Sequence, residues 1–482
     1  MKFQKGTASF LLAALLLSSC GAAAEETPAA ADTETAPVTE AVTEDTWDLP
    51  VEDYQDYSFR ILTYNNMYEE HRADSETGEA VNDAVYRRNR FVEDTYHVKI
   101  VVEDMDDASY QSTLRKNVSG GDDAYDLYQI FLSPAASVYA PAGYFVDWNE
   151  IPYVRDALNE PQWNFKGQSK LTIKGKNYLL TGDLGHLYIG NSTALFFNKT
   201  LFRSEEMEFP YQSVLDGTWT LDKLIGLCTD YNSDLNGDGK ITEEDDRFAI
   251  TSTKWVAPVS LFVGCDLNTL TYDDTGYPSM NLTTEKTVSA YQKIYSLLID
   301  NLCPLDEYSA DVMSTTTYRI FLADRALFCA GGLSLASKLR TMENDFGILP
   351  NPKYDENQEN YMTSIDAGTS AAAVTVTASD LSRTGLIVEA LCEKGSELVI
   401  PAYYDILLQG KSVRDEESSA MLDIIRSTAA FDPLYVYNFG SFGFCFMNWL
   451  LQKKEDIVSA YEKQQKSAVT AIEKFWNTIQ DE

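Results

Sequence analysis

An α/β fold of two lobes with mostly parallel sheets follows from three features of the sequence. Strand-like segments exchange with helical ones in a β-α-β-α-β order, which calls for crossover connections and parallel neighbours. A chain of 482 residues exceeds what one core usually serves, so two lobes of comparable size are expected. The hydrophobic fraction of 44%, with 12% aromatic residues, suits packed cores rather than disorder. There is no internal repeat.

The elements follow in chain order. Residues 1–20, MKFQKGTASFLLAALLLSSC, place Lys2 and Lys5 before an apolar run and small residues before Cys20. This is the layout of an export signal, too short for an ordinary spanning helix. Its end, Leu17-Ser18-Ser19-Cys20-Gly21, resembles the bacterial lipobox, which implies acylation of Cys20 and attachment to the outer face of the plasma membrane through that lipid only. Residues 21–50 are rich in Ala, Thr, Glu and Pro and hold no basic residue, the composition of a disordered tether.

YSFRILTY (57–64) alternates as a strand and runs into Asn65-Asn66. In 80–96, Val81, Val85, Val92 and Tyr96 share one helical face. VKIVVED (98–104) reads as a second strand, SYQSTLRKNVSG as a helix and DLYQIFL (126–132) as a third strand. Later strand-like pieces are RALFCAGG (325–332), DFGILPNP (345–352) and AAAVTVT (371–377); a long helix is expected over 455–479.

Several stretches in this order resemble the extracellular solute-binding proteins of ABC importers, in the carbohydrate-binding, maltodextrin-binding-like group. GKNYLLTGDLGHLYIGNSTALFFNKTLF (175–202) is similar to the segment leading from one lobe to the other. GTWTLDKLIGLC (217–228) is similar to the family's Trp-Thr helix start, with Thr220 as N-cap. RALFCAGGLSLASKLR and DFGILPNPKYDE look like its strand, Gly-rich turn and following strand. The resemblance spans nearly the whole mature chain. It implies the periplasmic-binding-protein-like fold of type II, with lobe 1 over 51–190 and 349–405 and lobe 2 over 191–348 and 406–482. Crossings are expected near 180–192, 346–352 and 404–410. It further implies a saccharide, an oligosaccharide by preference, held in the interlobe cleft and delivered to a permease by a monomeric protein that is not an enzyme.

Sugars present hydroxyls to hydrogen-bond and C–H faces to stack, and ligands of parallel sheets lie beyond the carboxyl ends of strands. That rule selects Tyr64, Asn65 and Asn66 after the first strand and Ser133 after the third. It also selects Gly331, Gly332 and Leu333 after 325–330, where glycine permits close approach. Asp183 lies near the first crossing and Tyr403 and Tyr404 near the third. Trp255 falls where relatives of the maltodextrin-binding type carry a stacking aromatic. For each of these residues, packing in a core or hinge competes with ligand contact.

Other classes of function fit less well. A net charge of -36 repels phosphate backbones and speaks against nucleic acid. Gly332-Leu333-Ser334-Leu335-Ala336 lacks the final glycine of a nucleophile elbow, and His71, His97 and His186 all precede Ser334. No phosphate-binding glycine loop or His-Glu-x-x-His is present. Six cysteines, from Cys228 to Cys445, are scattered without a Cys-x-x-Cys pair and read as buried thiols. Two rivals stay open: a surface glycoside hydrolase, and a peptide-binding protein on the same fold.

DLNGDGKITEED (234–245) matches a calcium loop. Asp234, Asn236, Asp238, the Lys240 carbonyl and Asp245 fall at the ligand positions, with Gly239 at the sharp turn. Thr242 is placed to act through a water, and Asp replaces the usual Glu at the last position. A structural Ca2+ is therefore expected outside the cell.

Overall fold

The protein is described here by a computed structural model that covers residues 48–65, 67–172, 174–307, 315–339, 342, 344–408 and 416–479. The export signal, Cys20, the tether up to residue 47 and Asn66 lie outside the described residues. Two sheets carry the two lobes. Strands β1 (Tyr57–Tyr64), β2 (Val98–Met105) and β3 (Leu127–Phe131) begin the first. Strands β4 (Thr193–Asn198), β5 (Phe248–Thr253), β6 (Leu305–Asp306), β7 (Ala326–Gly332) and β8 (Phe346–Leu349) make the second, and β9 (Ser370–Ala373) returns to the first. The strand orders are β9-β3-β1-β2 and β8-β4-β7-β5-β6.

Helix α1 (Ala80–Tyr96) buries Val85, Val92 and Tyr96, the apolar face read from its spacing, and ends where His97 turns left-handed at φ 48°. Helix α2 (Asp107–Gly120) starts on an Asp106 cap that accepts the Ser109 amide at 3.0 Å, and it stops at Gly121, φ +71°. These two helices make the crossovers that set β1 parallel to β2 and to β3, with Tyr57 opposite Val98 and Tyr64 opposite Met105. In the second lobe β5 is parallel to β6 and β7. Strands β4 and β9 run antiparallel to their neighbours. Each enters its sheet directly from the other lobe, without a crossover helix to impose direction.

The chain passes between lobes along 181–192: Leu180 still bridges Ala372 of the first sheet, and Thr193 already lies in the second. The return comes later than expected. Phe346–Leu349 pairs with β4 and Lys353 bridges Thr220, so 346–352 belong to the second lobe and the passage falls at 365–370. The apolar run FGIL supplies a strand edge for β4, which outweighs any tendency to cross there. Residues 404–408 continue the helix Ile400–Leu408 rather than crossing, and 409–415 lie outside the described residues. The long helix expected over 455–479 is two, Ile457–Glu462 and Gln465–Thr478. The bend lets Tyr461 pack on Phe442 while Phe475 packs on Tyr437 and Phe439. All six described cysteines are free and buried.

One buried carboxyl ties stability to pH. Glu389, 2% exposed, accepts Trp163 Nε1 at 2.8 Å and Gln162 Nε2 at 3.0 Å. Burial raises it to about 7, against the pull of those two donors. Its unfolded value is roughly 4.3. A carboxyl raised on folding contributes stability that is present below the unfolded value and lost as pH rises through the folded one. The wild type should therefore lose on the order of 3 kcal/mol from this group between pH 5 and 8. Glu389→Gln can keep both contacts once the Gln162 amide flips. Denaturant titrations at the two pH values are expected to show that component of the pH dependence gone.

Candidate functional site: the interlobe cleft

A cavity of about 840 Å3 opens between the lobes and takes its walls from both. Its floor is the pair of passages. Ser192 bridges Ile365, and the Asp366 amide donates to the Asn191 carbonyl at 3.1 Å, so Asn191 and Asp366 lie side by side beneath the opening. The first wall comes from the ends of β1 and β3: Asn65 and Met67, then Phe131, Ser133 and Pro134. Asn65 is left-handed at φ 49°, a conformation asparagine tolerates, and its Oδ1 accepts the Asp107 amide at 3.2 Å. The Ser133 hydroxyl donates to the Val436 carbonyl at 2.9 Å, a contact that ties β3 to the C-terminal segment.

The second wall comes from the ends of β5 and β7, with Thr253, Trp255 and Val256 from one and Gly332, Ser334 and Lys338 from the other. An aromatic row runs along it. Trp255 stands edge-on to Phe444 at 5.5 Å and 86°, and Phe444 edge-on to Tyr435 at 4.9 Å and 88°. The Trp255 indole is fixed by a 3.3 Å bond from Nε1 to Glu307, with the Lys254 ammonium 4.9 Å from the ring centre. The row ends at the floor, where the Tyr435 hydroxyl donates to Asp366 Oδ2 at 3.1 Å. Burial raises the Asp366 carboxyl, against the Gly368 amide and the Tyr435 hydroxyl that hold it. The half-buried rings of Trp255 and Phe444 can stack apolar faces, and the desolvated carboxylate behind Tyr435 can accept hydrogen bonds.

Of the residues expected to bind, Asn65, Ser133, Trp255 and Gly332 line this cavity. The others do not. Tyr64 is 1% exposed and packs on Tyr110 and Phe131, because both faces of the strand's end are covered and its ring falls in the first lobe's core. Gly331 faces Leu335, which a Cβ would meet at 2.6 Å, and Leu333 is buried with its amide on the Ser192 carbonyl at 2.8 Å. Asp183 is wholly buried, accepting the Tyr188 hydroxyl at 2.7 Å and pairing with Arg426 at 3.3 Å. Tyr403 packs on His186 at 4.7 Å with the rings tilted by 40° and its hydroxyl against Gly190, and Tyr404 lies under Arg426. These last residues pack the hinge. Asp366, Tyr435, Phe444 and Asn191 were not among the expected residues. Their one sequence signal is the glycine-aromatic run NFGSFGF (438–444) beside Tyr435, which reads equally well as core.

The loop from Asp234 lies outside this cavity. Its base is closed by a bridge between Ser233 and Arg247. Asp234 accepts the amides of Gly237 (2.6 Å) and Gly239 (2.7 Å), Asn236 that of Asp238 and Asp238 that of Lys240 (both 2.9 Å). Gly239 has φ +83°, where a side chain would be strained. The carboxylate that closes the loop is Asp246, buried and accepting the amides of Leu235 and Thr242, and Asp245 is exposed. Among the described residues no three His, Cys, Asp or Glu side chains converge as metal ligands.

No protein-family model and no curated protein matches the chain. Solved structures do. UspC from M. tuberculosis is 13% identical with a TM-score of 0.56, the match covering 86% of this chain and 100% of that one. The ABC substrate-binding protein Lmo0181 from Listeria monocytogenes, in complex with cycloalternan, is 13% identical with a TM-score of 0.54, covering 88% and 99%. An ABC transporter solute-binding protein from Thermotoga lettingae TMO, bound with alpha-D-tagatose, is 12% identical with a TM-score of 0.52, covering 87% and 100%. The chain therefore has the two-lobed, periplasmic-binding-protein-like α/β fold that these proteins share.

Proposed function

We propose that the protein is an extracellular solute-binding protein that captures a saccharide, an oligosaccharide by preference, and delivers it to an ABC importer. The observation that carries this reading is the cleft itself, about 840 Å3 between two lobes joined by narrow passages, with an aromatic row on one wall and a carboxylate on its floor. Glycoside hydrolysis uses a pair of carboxyl groups across the scissile bond. Among the described lining residues Asp366 is the one carboxylate, which suits recognition by hydrogen bonds. The fold's likeness to proteins solved with cycloalternan and with alpha-D-tagatose supports the ligand class. A thermal-shift screen with oligosaccharides, peptides and amino acids tests it, since a ligand that binds only the native state raises the melting point. Oligosaccharides should shift the protein; a response confined to peptides would replace the reading with the peptide-binding one.

In the same reading, the export signal directs the chain outward, acylation of Cys20 holds the monomer to the outer face of the plasma membrane, and the tether carries the lobes clear of it. The loop from Asp234 would hold a structural Ca2+ through Asp234, Asn236, Asp238 and the Lys240 carbonyl, an all-oxygen set suited to a hard cation. Either Asp245 or Asp246 would complete it. Calorimetric titration with calcium is expected to give one site in the wild type and none in Asp238→Ala. A wild type that takes up no calcium would remove the ion from the account.

A further inference from the structure

The floor of the cleft bears on which saccharides the protein takes, provided that it is a saccharide binder. Asp366 Oδ1 accepts the Gly368 amide at 2.7 Å and Oδ2 accepts the Tyr435 hydroxyl at 3.1 Å. A Cβ at residue 368 would stand 2.8 Å from Oδ1, so glycine is what lets the carboxylate sit there. An ionised carboxylate offers about four acceptor sites, and these contacts occupy two. The carboxylate lines the cavity, so its remaining capacity is within reach of a ligand there. Asp366 also lies on the second passage, bonded to Asn191 of the first, so a ligand held here touches these two passages together.

We propose that Asp366 is the specificity-determining anchor of the cleft, accepting hydrogen bonds from ligand hydroxyls and excluding saccharides that carry carboxylate or sulfate groups. A second anion brought against this half-buried carboxylate would meet like charge in a partly desolvated place, which disfavours it strongly. Lys338 is the one cation among the described lining residues, and it already has interactions of its own. Neutral saccharides with free hydroxyls meet neither obstacle.

Capture should then depend on protons. Burial raises the Asp366 carboxyl above the ordinary carboxylate range, and hydroxyl donors from a ligand favour its ionised form. Affinity for a neutral saccharide is therefore expected to rise with pH through the Asp366 titration. The other titratable residues lining the cavity are Tyr318, Tyr435, whose phenol burial keeps protonated, and Lys338.

The test is calorimetric titration of wild type, Asp366→Asn and Tyr435→Phe with maltotriose, raffinose and trigalacturonic acid at pH values from 4.5 to 8. Asn keeps the shape and can still accept the Gly368 amide, and melting temperatures check each variant's fold. The wild type should bind a neutral sugar with affinity rising with pH and ignore the acidic one. Asp366→Asn should bind the neutral sugar ten- to a hundredfold more weakly with a flat pH profile. Tyr435→Phe, which removes a donor to the ionised form, should move the midpoint to higher pH. Neutral sugar bound equally by wild type and Asp366→Asn, or trigalacturonic acid preferred by the wild type, would overturn the proposal and leave saccharide binding standing. A wild type that binds none of the three would overturn both.

Discussion

Trp255→Ala is expected to weaken saccharide binding ten- to a hundredfold, about 1.4–3 kcal/mol, with little change in melting temperature. Trp255 is half-buried on the cleft wall, so its ring is available to a ligand and contributes modestly to the core. Its edge-on contact to Phe444 orders the aromatic row, and the bond to Glu307 fixes the indole plane, so truncation removes both a stacking surface and its alignment. Trp255→Phe should recover most of the loss, since a smaller ring keeps the stacking face. Calorimetry on the two variants with the ligand found in the screen checks this. Unchanged affinity in Trp255→Ala would remove the residue from the site.

The largest effect on stability is expected at Gly395. A Cβ there would lie 2.0 Å from the Asp183 carbonyl oxygen, a backbone atom of the first passage that has no rotamer to yield. Gly395→Ala should cost on the order of 3 kcal/mol or more by overpacking in urea or guanidinium titration. It should also disturb the hinge, since Asp183 carries the Tyr188 and Arg426 contacts. Gly226 provides the control. It is exposed within the helix Leu221–Cys228, and a Cβ there meets nothing within 4 Å. Gly226→Ala should therefore stabilise by roughly 0.5–1 kcal/mol, the helical preference for alanine over glycine. A similar response at both positions would contradict the close packing assigned to the hinge.

Local pattern was enough to place β1, α1, β2 and β7 nearly to the residue, because each signals itself within one segment: alternation in YSFRILTY, a helical stripe in 80–96, an apolar run before Gly331-Gly332. Caps were readable for the same reason, as at Thr220, whose Oγ1 accepts the Lys223 amide at 3.3 Å. What was illegible depends on partners distant in sequence. FGIL at 346–349 could end in either lobe, and only β4 decides. Tyr64 and Asn65 are adjacent, yet the strand ends with Tyr64 in the core while Asn65, in a left-handed turn, lines the cleft. Asp366 and Tyr435 meet across 69 positions, and no local motif in SIDAGTS or DPLYVYN announces the pair. Tyr403 and Tyr404 had the aromatic character of a sugar site but were claimed by His186 and Arg426 at the hinge.

We propose that the cleft captures a saccharide without altering it. The most direct measurement is calorimetric titration of the purified full chain with the oligosaccharide that gives the largest thermal shift, followed by chromatography of the recovered sugar. Saturable binding of one ligand per chain, weakened by Trp255→Ala, is expected, with the sugar recovered intact. Shortened products, or binding indifferent to the cleft residues, would contradict it.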